Sequence, residues 1–314
     1  MPWLALLAGN GLHAVITSLL GLSMITASDS LAILAIAAAA STVLGGAVAA
    51  RRNSAACSPD PRALAWLNLW TAVTFVSFFL GVAVYGAVVV FTLGASFAPL
   101  AVTTWSGLQA LRTPAGDQAS GRPSRAQWCA VGLMAVLGAS LVAALAGTDS
   151  RGIGALLVAA ALGVIDGMAA GGVAIVSRSL GRDGAGVWQV MAHRYYATVV
   201  VSVVALLILV PSGLLAAPSM SLSISIAAAF GSLVVPFFLI QYAVQRLAPV
   251  LVTAALALIP VIALFVEIAA GRAVPWPALI LGLLIVPASL AIFATEQKPA
   301  GLSSRPVEPV AELV

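Results

Sequence analysis

The chain has 314 residues, 62% of them hydrophobic and only 8% charged, with a formal net charge of +4. Soluble domains carry roughly 25% charged and 45–50% apolar residues, so this apolar excess exceeds what a soluble core can hide and must face lipid. The positive charge is spread among loops, which argues for membrane topology and against a nucleic-acid surface, and the two cysteines, Cys57 and Cys129, lack metal-ligand spacing.

A helix needs about 20 apolar residues to cross a bilayer. The first predicted span, 3–26, has no basic leader and is followed by further spans, so it does not read as a signal peptide. The second, 30–50, ends at Arg51-Arg52. The third and fourth, 64–85 and 87–111, share one uncharged stretch marked only by Tyr85-Gly86. A loop rich in Pro, Ser, Asp and Arg, Thr113–Arg125, leads to the fifth at 127–147. The sixth and seventh lie at 153–177 and 187–210. The eighth and ninth, 220–244 and 247–270, are divided only by Gln245-Arg246, and the tenth is 276–295. The tail from Gln297 carries Pro299, Pro306 and Pro309 and reads as a disordered cytoplasmic end.

Charge fixes the count. With the N-terminus inside, Arg51, Arg52, Arg62, Arg112, Arg122, Arg125, Arg178, Arg182, Arg246, Lys298 and Arg305 all fall inside. Arg151 and Arg272 fall outside, and Arg194 lies within a span. Merging 64–111 into one span would destroy this bias, which the positive-inside rule favours. The expected fold is all-α: a polytopic membrane protein of ten transmembrane helices, without the alternation of barrel strands. The expected location is a bacterial inner (plasma) membrane with both termini cytoplasmic. Reporter fusions at Gly116 and at the C-terminus should read inside, and one at Ser212 outside; a C-terminus outside would contradict ten spans.

The fifth span contains Val136-Leu137-Gly138-Ala139-Ser140-Leu141-Val142-Ala143, and the tenth Ile285-Val286-Pro287-Ala288-Ser289-Leu290-Ala291-Ile292. Ala98-Pro99-Leu100 in the fourth parallels Ile259-Pro260-Val261 in the ninth. These echoes divide the chain into two five-span repeats, 1–150 and 151–296, followed by the tail 297–314. An odd number of spans per half inserts the halves in opposite orientation, an arrangement of many transporters.

The whole pattern resembles the drug/metabolite transporter superfamily, specifically its EamA-type exporters, over nearly the full chain. Tyr242–Phe293 is similar to the family's eighth-to-tenth-span signature, with a short turn, a Pro-bearing ninth span and a small-residue final span. Met191-Ala192-His193-Arg194-Tyr195-Tyr196 resembles its seventh-span pattern of Arg before an aromatic residue. Where the family often carries Gly-Glu after the fourth and ninth spans, this chain has Leu111-Arg112 and Gly271-Arg272, and the second span lacks an Arg matching Arg194. The resemblance implies ten-span export of small metabolites.

Ionisable residues inside a bilayer are costly and so are the candidate site residues: His13, Asp166, His193, Arg194 and Glu267. Arg194 would bind a substrate carboxylate or phosphate, and Asp166 or a histidine would exchange protons. An Asp166–Arg194 ion pair is the structural alternative. Asn10 shares a helical face with His13, though helix contact is the plainer role for His13. Glu267, near the outer end of the ninth span, reads as an outer-gate or interface residue. Trp105 and Tyr242 would line a cavity or pack. Gly167 and Gly171 form a close-packing G-x-x-x-G beside Asp166, and Pro99, Pro236, Pro260 and Pro287 would kink spans and free backbone carbonyls.

The sequence holds no G-x-S-x-G, H-E-x-x-H or P-loop, so no enzyme, metal or cofactor is expected. The leading expectation is a secondary active, proton-coupled exporter of a small metabolite, such as an amino-acid-like compound, natural product or drug. A membrane-embedded lipid-modifying enzyme would cluster its acids or histidines near one interface, and a non-transporting scaffold would need few charges. Expected partners are a small-molecule substrate and membrane lipid, not nucleic acid; a homodimer stays open.

Overall fold

The computed structural model describes residues 1–51, 59–112, 122–146 and 151–296. The proposed tail, 297–314, lies outside them, as does Cys57. Ten helices are long and apolar enough to cross a membrane: α1 Pro2–Leu22, α2 Ala27–Arg51, α3 Pro61–Val84, α4 Ala87–Leu111, α5 Arg125–Leu145, α6 Gly152–Arg182, α7 Val187–Leu209, α8 Leu222–Val244, α9 Pro249–Ala269 and α10 Trp276–Thr295. No strand occurs among the described residues. The protein is an all-α polytopic membrane protein. Ten successive crossings bring the start of α1 and the end of α10 to one face, called here the terminal face.

The helix bounds follow the apolar runs closely, with two corrections: α1 ends at Leu22 rather than at 26, and α6 runs longer than predicted. α6 continues beyond residue 177 through Arg182, so Arg178 and Arg182 ride on a helix rather than in a loop. A charge ends an apolar run but not a helix, and Arg is a good helix former. The stop comes at Gly184, whose φ of +89° suits glycine. There Ala185 N donates to Leu180 O at 2.9 Å and Gly184 N to Gly181 O at 3.4 Å, which satisfies the last carbonyls.

α6 packs on α3 and α4, α1 packs on α8 and α9, and α2–α7, α4–α9 and α5–α10 also pair. Exchanging every span for the one five places away returns the same set. Without a hydrophobic force between helices in lipid, close backbone approach holds such contacts. On α6 a Cβ at Gly167 would fall 2.6 Å from Gly94 O, and one at Gly171 2.7 Å from Ala101 Cβ. The G-x-x-x-G is thus the seam where α6 meets α4.

Three consecutive spans, all beyond residue 151, are irregular. α7 breaks between Val187–His193 and Tyr196–Leu209. α8 contains a π-turn at Phe230–Val234. α9 breaks between Pro249–Ala255 and Leu258–Ala269. Proline accounts for two of these, because it lacks an N–H and clashes with the carbonyl four residues earlier. Pro236 lies four residues beyond Ser232, and Pro260 four beyond Leu256. α4 and α10 remain helical through Pro99 and Pro287.

Candidate functional site

Each irregularity frees a backbone carbonyl in the low-dielectric interior, where an unpaired polar group is costly. In each case a polar side chain from α1 or α3 takes it. In α8 the carbonyl of Ser232, left without a donor by Pro236, lies 2.6 Å from His13 Nδ1. A carbonyl only accepts, so Nδ1 carries the proton. The His13 ring sits among Phe78, Phe91 and Phe237, with centroids 5.4, 5.3 and 5.1 Å away. In α9, Ile259 N donates to Leu256 O at 2.9 Å instead of to Ala255 O. Asn10 Nδ2 reaches the freed Ala255 O at 3.5 Å, the outer limit of a hydrogen bond.

In α7 the side chain of Asn68 enters the helical ladder itself. Its Nδ2 donates to His193 O at 2.6 Å, and its Oδ1 accepts from Ala197 N at 3.2 Å. Those two backbone groups would otherwise bond each other, since they stand four residues apart. A polar side chain inserted in this way is a recognised cause of a helix break. The break places Arg194 and Tyr195 out of helical register, with Arg194 turned inward and 2% exposed. Replacing Asn68 with Leu should remove both bridging hydrogen bonds from the break as it stands and lower stability by about 1–3 kcal/mol. Thermal unfolding in detergent measures this; an unchanged midpoint would show that the break does not depend on Asn68.

Arg194 Nη1 donates to Gln241 Oε1 of α8 at 2.6 Å, and the guanidinium carbon lies 5.0 Å from the Tyr195 ring centroid. Arg194 Nε, Gln241 Nε2 and Asn10 Oδ1 are buried with no hydrogen-bond partner. Asn10, His13, Asp166 and Arg194 converge on a cavity of about 100 Å³, otherwise walled largely by Phe75, Phe78, Phe91 and Phe237. Asp166 is 8% exposed, and its Oδ2 abuts the space a Cβ of Gly94 would occupy.

Four of the eight sequence-derived candidates therefore share one site, and the other four do not. The Asp166–Arg194 ion pair is not formed; Arg194 reaches sideways to Gln241 instead. Depth explains this: Asp166 lies 16 residues from the end of α6 at Arg182 and Arg194 seven from the start of α7 at Val187, a difference of nine, or about 13 Å along a helix axis. His193 faces away, with Nδ1 2.9 Å from Tyr196 Oη. Tyr242 lies under the guanidinium of Arg246, 3.8 Å from centroid to carbon. Trp105 lines a separate vestibule at the terminal face. Glu267 lines a vestibule of about 470 Å³ at the opposite face, with Arg151 and Arg272.

Sequence reasoning missed Gln241, Asn68 and Asp29, having searched the spans mainly for ionisable side chains. Gln241 is an amide directly after Phe237-Phe238-Leu239-Ile240, a visible interruption of an apolar run. Asp29 is fully buried at the start of α2. It accepts from Ser219 N, Ser219 Oγ and Met220 N at 2.7, 2.8 and 2.9 Å. It thereby ties α2 to the loop before α8, and Thr26-x-x-Asp29 was the capping signal that marked it.

No family model and no curated relative matches the chain. A crystal structure of a protein 17% identical in sequence superposes with a TM-score of 0.60, over 92% of this chain and 96% of that one. The likeness establishes a shared fold.

Proposed function

We propose that the protein is a secondary active transporter that exports a small metabolite by exchange with protons, with the terminal face in the cytoplasm of a bacterial inner membrane. The observation that carries this reading is the cavity itself. It places a guanidinium, a carboxyl, an amide and an imidazole in mid-bundle beside three broken spans. Broken spans around a central polar site are a feature of alternating-access transporters. The pairing of spans five apart supports two inverted halves, 1–150 and 151–296, and fits the EamA-type resemblance. In this reading Arg194 binds the carboxylate or phosphate of the metabolite, and Asp166 binds the proton that competes with it.

A cavity of about 100 Å³ holds only about three waters at liquid density. In this reading loading a metabolite requires the cavity to widen, with one half rocking against the other. The side chains of Asn10, His13 and Asn68 bridge the halves and would pivot or exchange partners during that motion.

Purified protein in liposomes tests the coupling, with a panel of small carboxylates and phosphorylated metabolites as solutes. An imposed pH gradient should drive at least one solute uphill, and a protonophore should leave only downhill leak. Uphill flux that follows sodium and ignores pH would remove the proton from the account. Flux that is never uphill would make the protein a facilitator.

A further inference from the structure

Below the central cavity a larger vestibule opens on the terminal face, with a volume of about 760 Å³. Ligand sites typically span roughly 300–1,000 Å³. Four guanidinium groups, those of Arg62, Arg122, Arg178 and Arg182, line it. Among the described residues none of the four pairs with a carboxylate. The one carboxylate in the lining, Asp60, accepts from Arg62 N at 3.0 Å and so caps α3.

Membrane topology needs basic residues on this side of the bilayer but does not need them to converge on a concavity. Convergence carries a cost, because Arg178 and Arg182 stand one turn apart on α6, and like charges at that spacing repel. Arg178 is already oriented, since Nη1 donates to Gln245 O. Its Nε is buried and has no partner. Trp66 and Trp105 complete the wall and are 55% and 46% exposed. Trp66 stacks on Trp70 with centroids 6.1 Å apart, which fixes its ring plane. The vestibule borders the central cavity along two helices. Ile175, Val176 and Val250 line it, while Val173, Ala174 and Val252 of the same helices line the central cavity.

We propose that this vestibule is a docking site for a small aromatic organic anion, which the arginines and tryptophans hold before it passes to Arg194. Guanidinium forks match carboxylate and phosphate groups, and the indole faces accept an aromatic ring. The inference rests on the transporter reading and adds a substrate class to it. An anionic lipid headgroup offers the same charge, so the test separates the two sources.

The probe is 4-nitrobenzoate, an aromatic anion that quenches tryptophan, added to the full chain in phosphatidylcholine nanodiscs. Saturable quenching is expected, to be lost in Trp66→Phe/Trp105→Phe, and the neutral 4-nitrobenzamide should quench far less. Removing two charge-assisted contacts in Arg178→Gln/Arg182→Gln should weaken binding on the order of 100-fold. Arg178→Lys/Arg182→Lys keeps the charge and topology and should retain part of the affinity, which guards against a variant that merely misfolds. Equal quenching by the amide, or binding indifferent to both arginine variants, would overturn the proposal. Full displacement by phosphatidylglycerol would assign the guanidinium groups to a lipid and would also overturn it. Nitrobenzoate binding without pH-driven flux of any solute would contradict the transporter reading alone. Flux without such binding would contradict the vestibule alone.

Discussion

Arg194→Gln is expected to lower solute flux at least 100-fold while leaving a folded protein. Arg194 supplies the one guanidinium of the central cavity, and its Nε is buried without a partner. A glutamine amide keeps a neutral hydrogen-bond donor on α7 in place of the charge, so no buried charge is left unpaired. In the proposed reading the lost quantity is the charge that would meet the substrate, and hydrogen bonds to a charged group contribute about 1.5–3 kcal/mol each. Asp166→Asn should reduce pH-driven flux as well. Because the two side chains do not bond each other, combining the changes should not restore transport. Recovery in the double variant would show that they form a structural pair in another state of the cycle, and would remove both from the substrate site.

Gly167→Leu is expected to prevent formation of a stable bundle. Its Cβ would fall 2.6 Å from a backbone oxygen of α4 and 3.0 Å from Phe97 Cβ, and a backbone atom cannot rotate away. Overpacking in a well-fitted interior costs about 1–3 kcal/mol even where side chains can adjust, and here they cannot. Gly154 on the same helix has nothing within 4 Å of its Cβ position, so Gly154→Leu serves as the control. Monodisperse yield after detergent extraction measures both. Equal yields would show that the seam between α4 and α6 is looser than these distances indicate.

Much of the fold was legible in the sequence because lipid imposes a simple rule: long apolar runs become helices, and arginines mark one side. The uncharged stretch 64–111 divides between Val84 and Ala87, where the charge bias required it. The limit of the rule appears at α6, whose helix outlasts its apolar run by a full turn. The breaks were only half legible. Pro236 and Pro260 announced freed carbonyls, but nothing local marks the interruption of α7. Its cause is Asn68, 125 residues away along the chain and part of a different span.

The site shows the same division. Charge alone located Arg194 and Asp166, and the pairing of Asn10 with His13 on one face of α1 was readable from spacing. That these four share a cavity depends on which spans pack together, which composition does not encode. Glu267 lines the vestibule at the outer end of its span, where the sequence placed it, whereas Trp105 lines the vestibule at the terminal face, away from the central cavity.

The central claim is that the cavity between the halves is reached alternately from both faces, and a cysteine at Ala170 tests it without knowledge of the substrate. Ala170 lines the cavity, and Cys57 and Cys129 can first be replaced by serine. A small charged methanethiosulfonate reagent is then applied separately to each face of oriented vesicles, with a cysteine at Ser212 marking the face opposite the termini. The account predicts that Ala170→Cys reacts from either face and is protected from both by a transported solute. Reaction from one face only, or from neither, would contradict it.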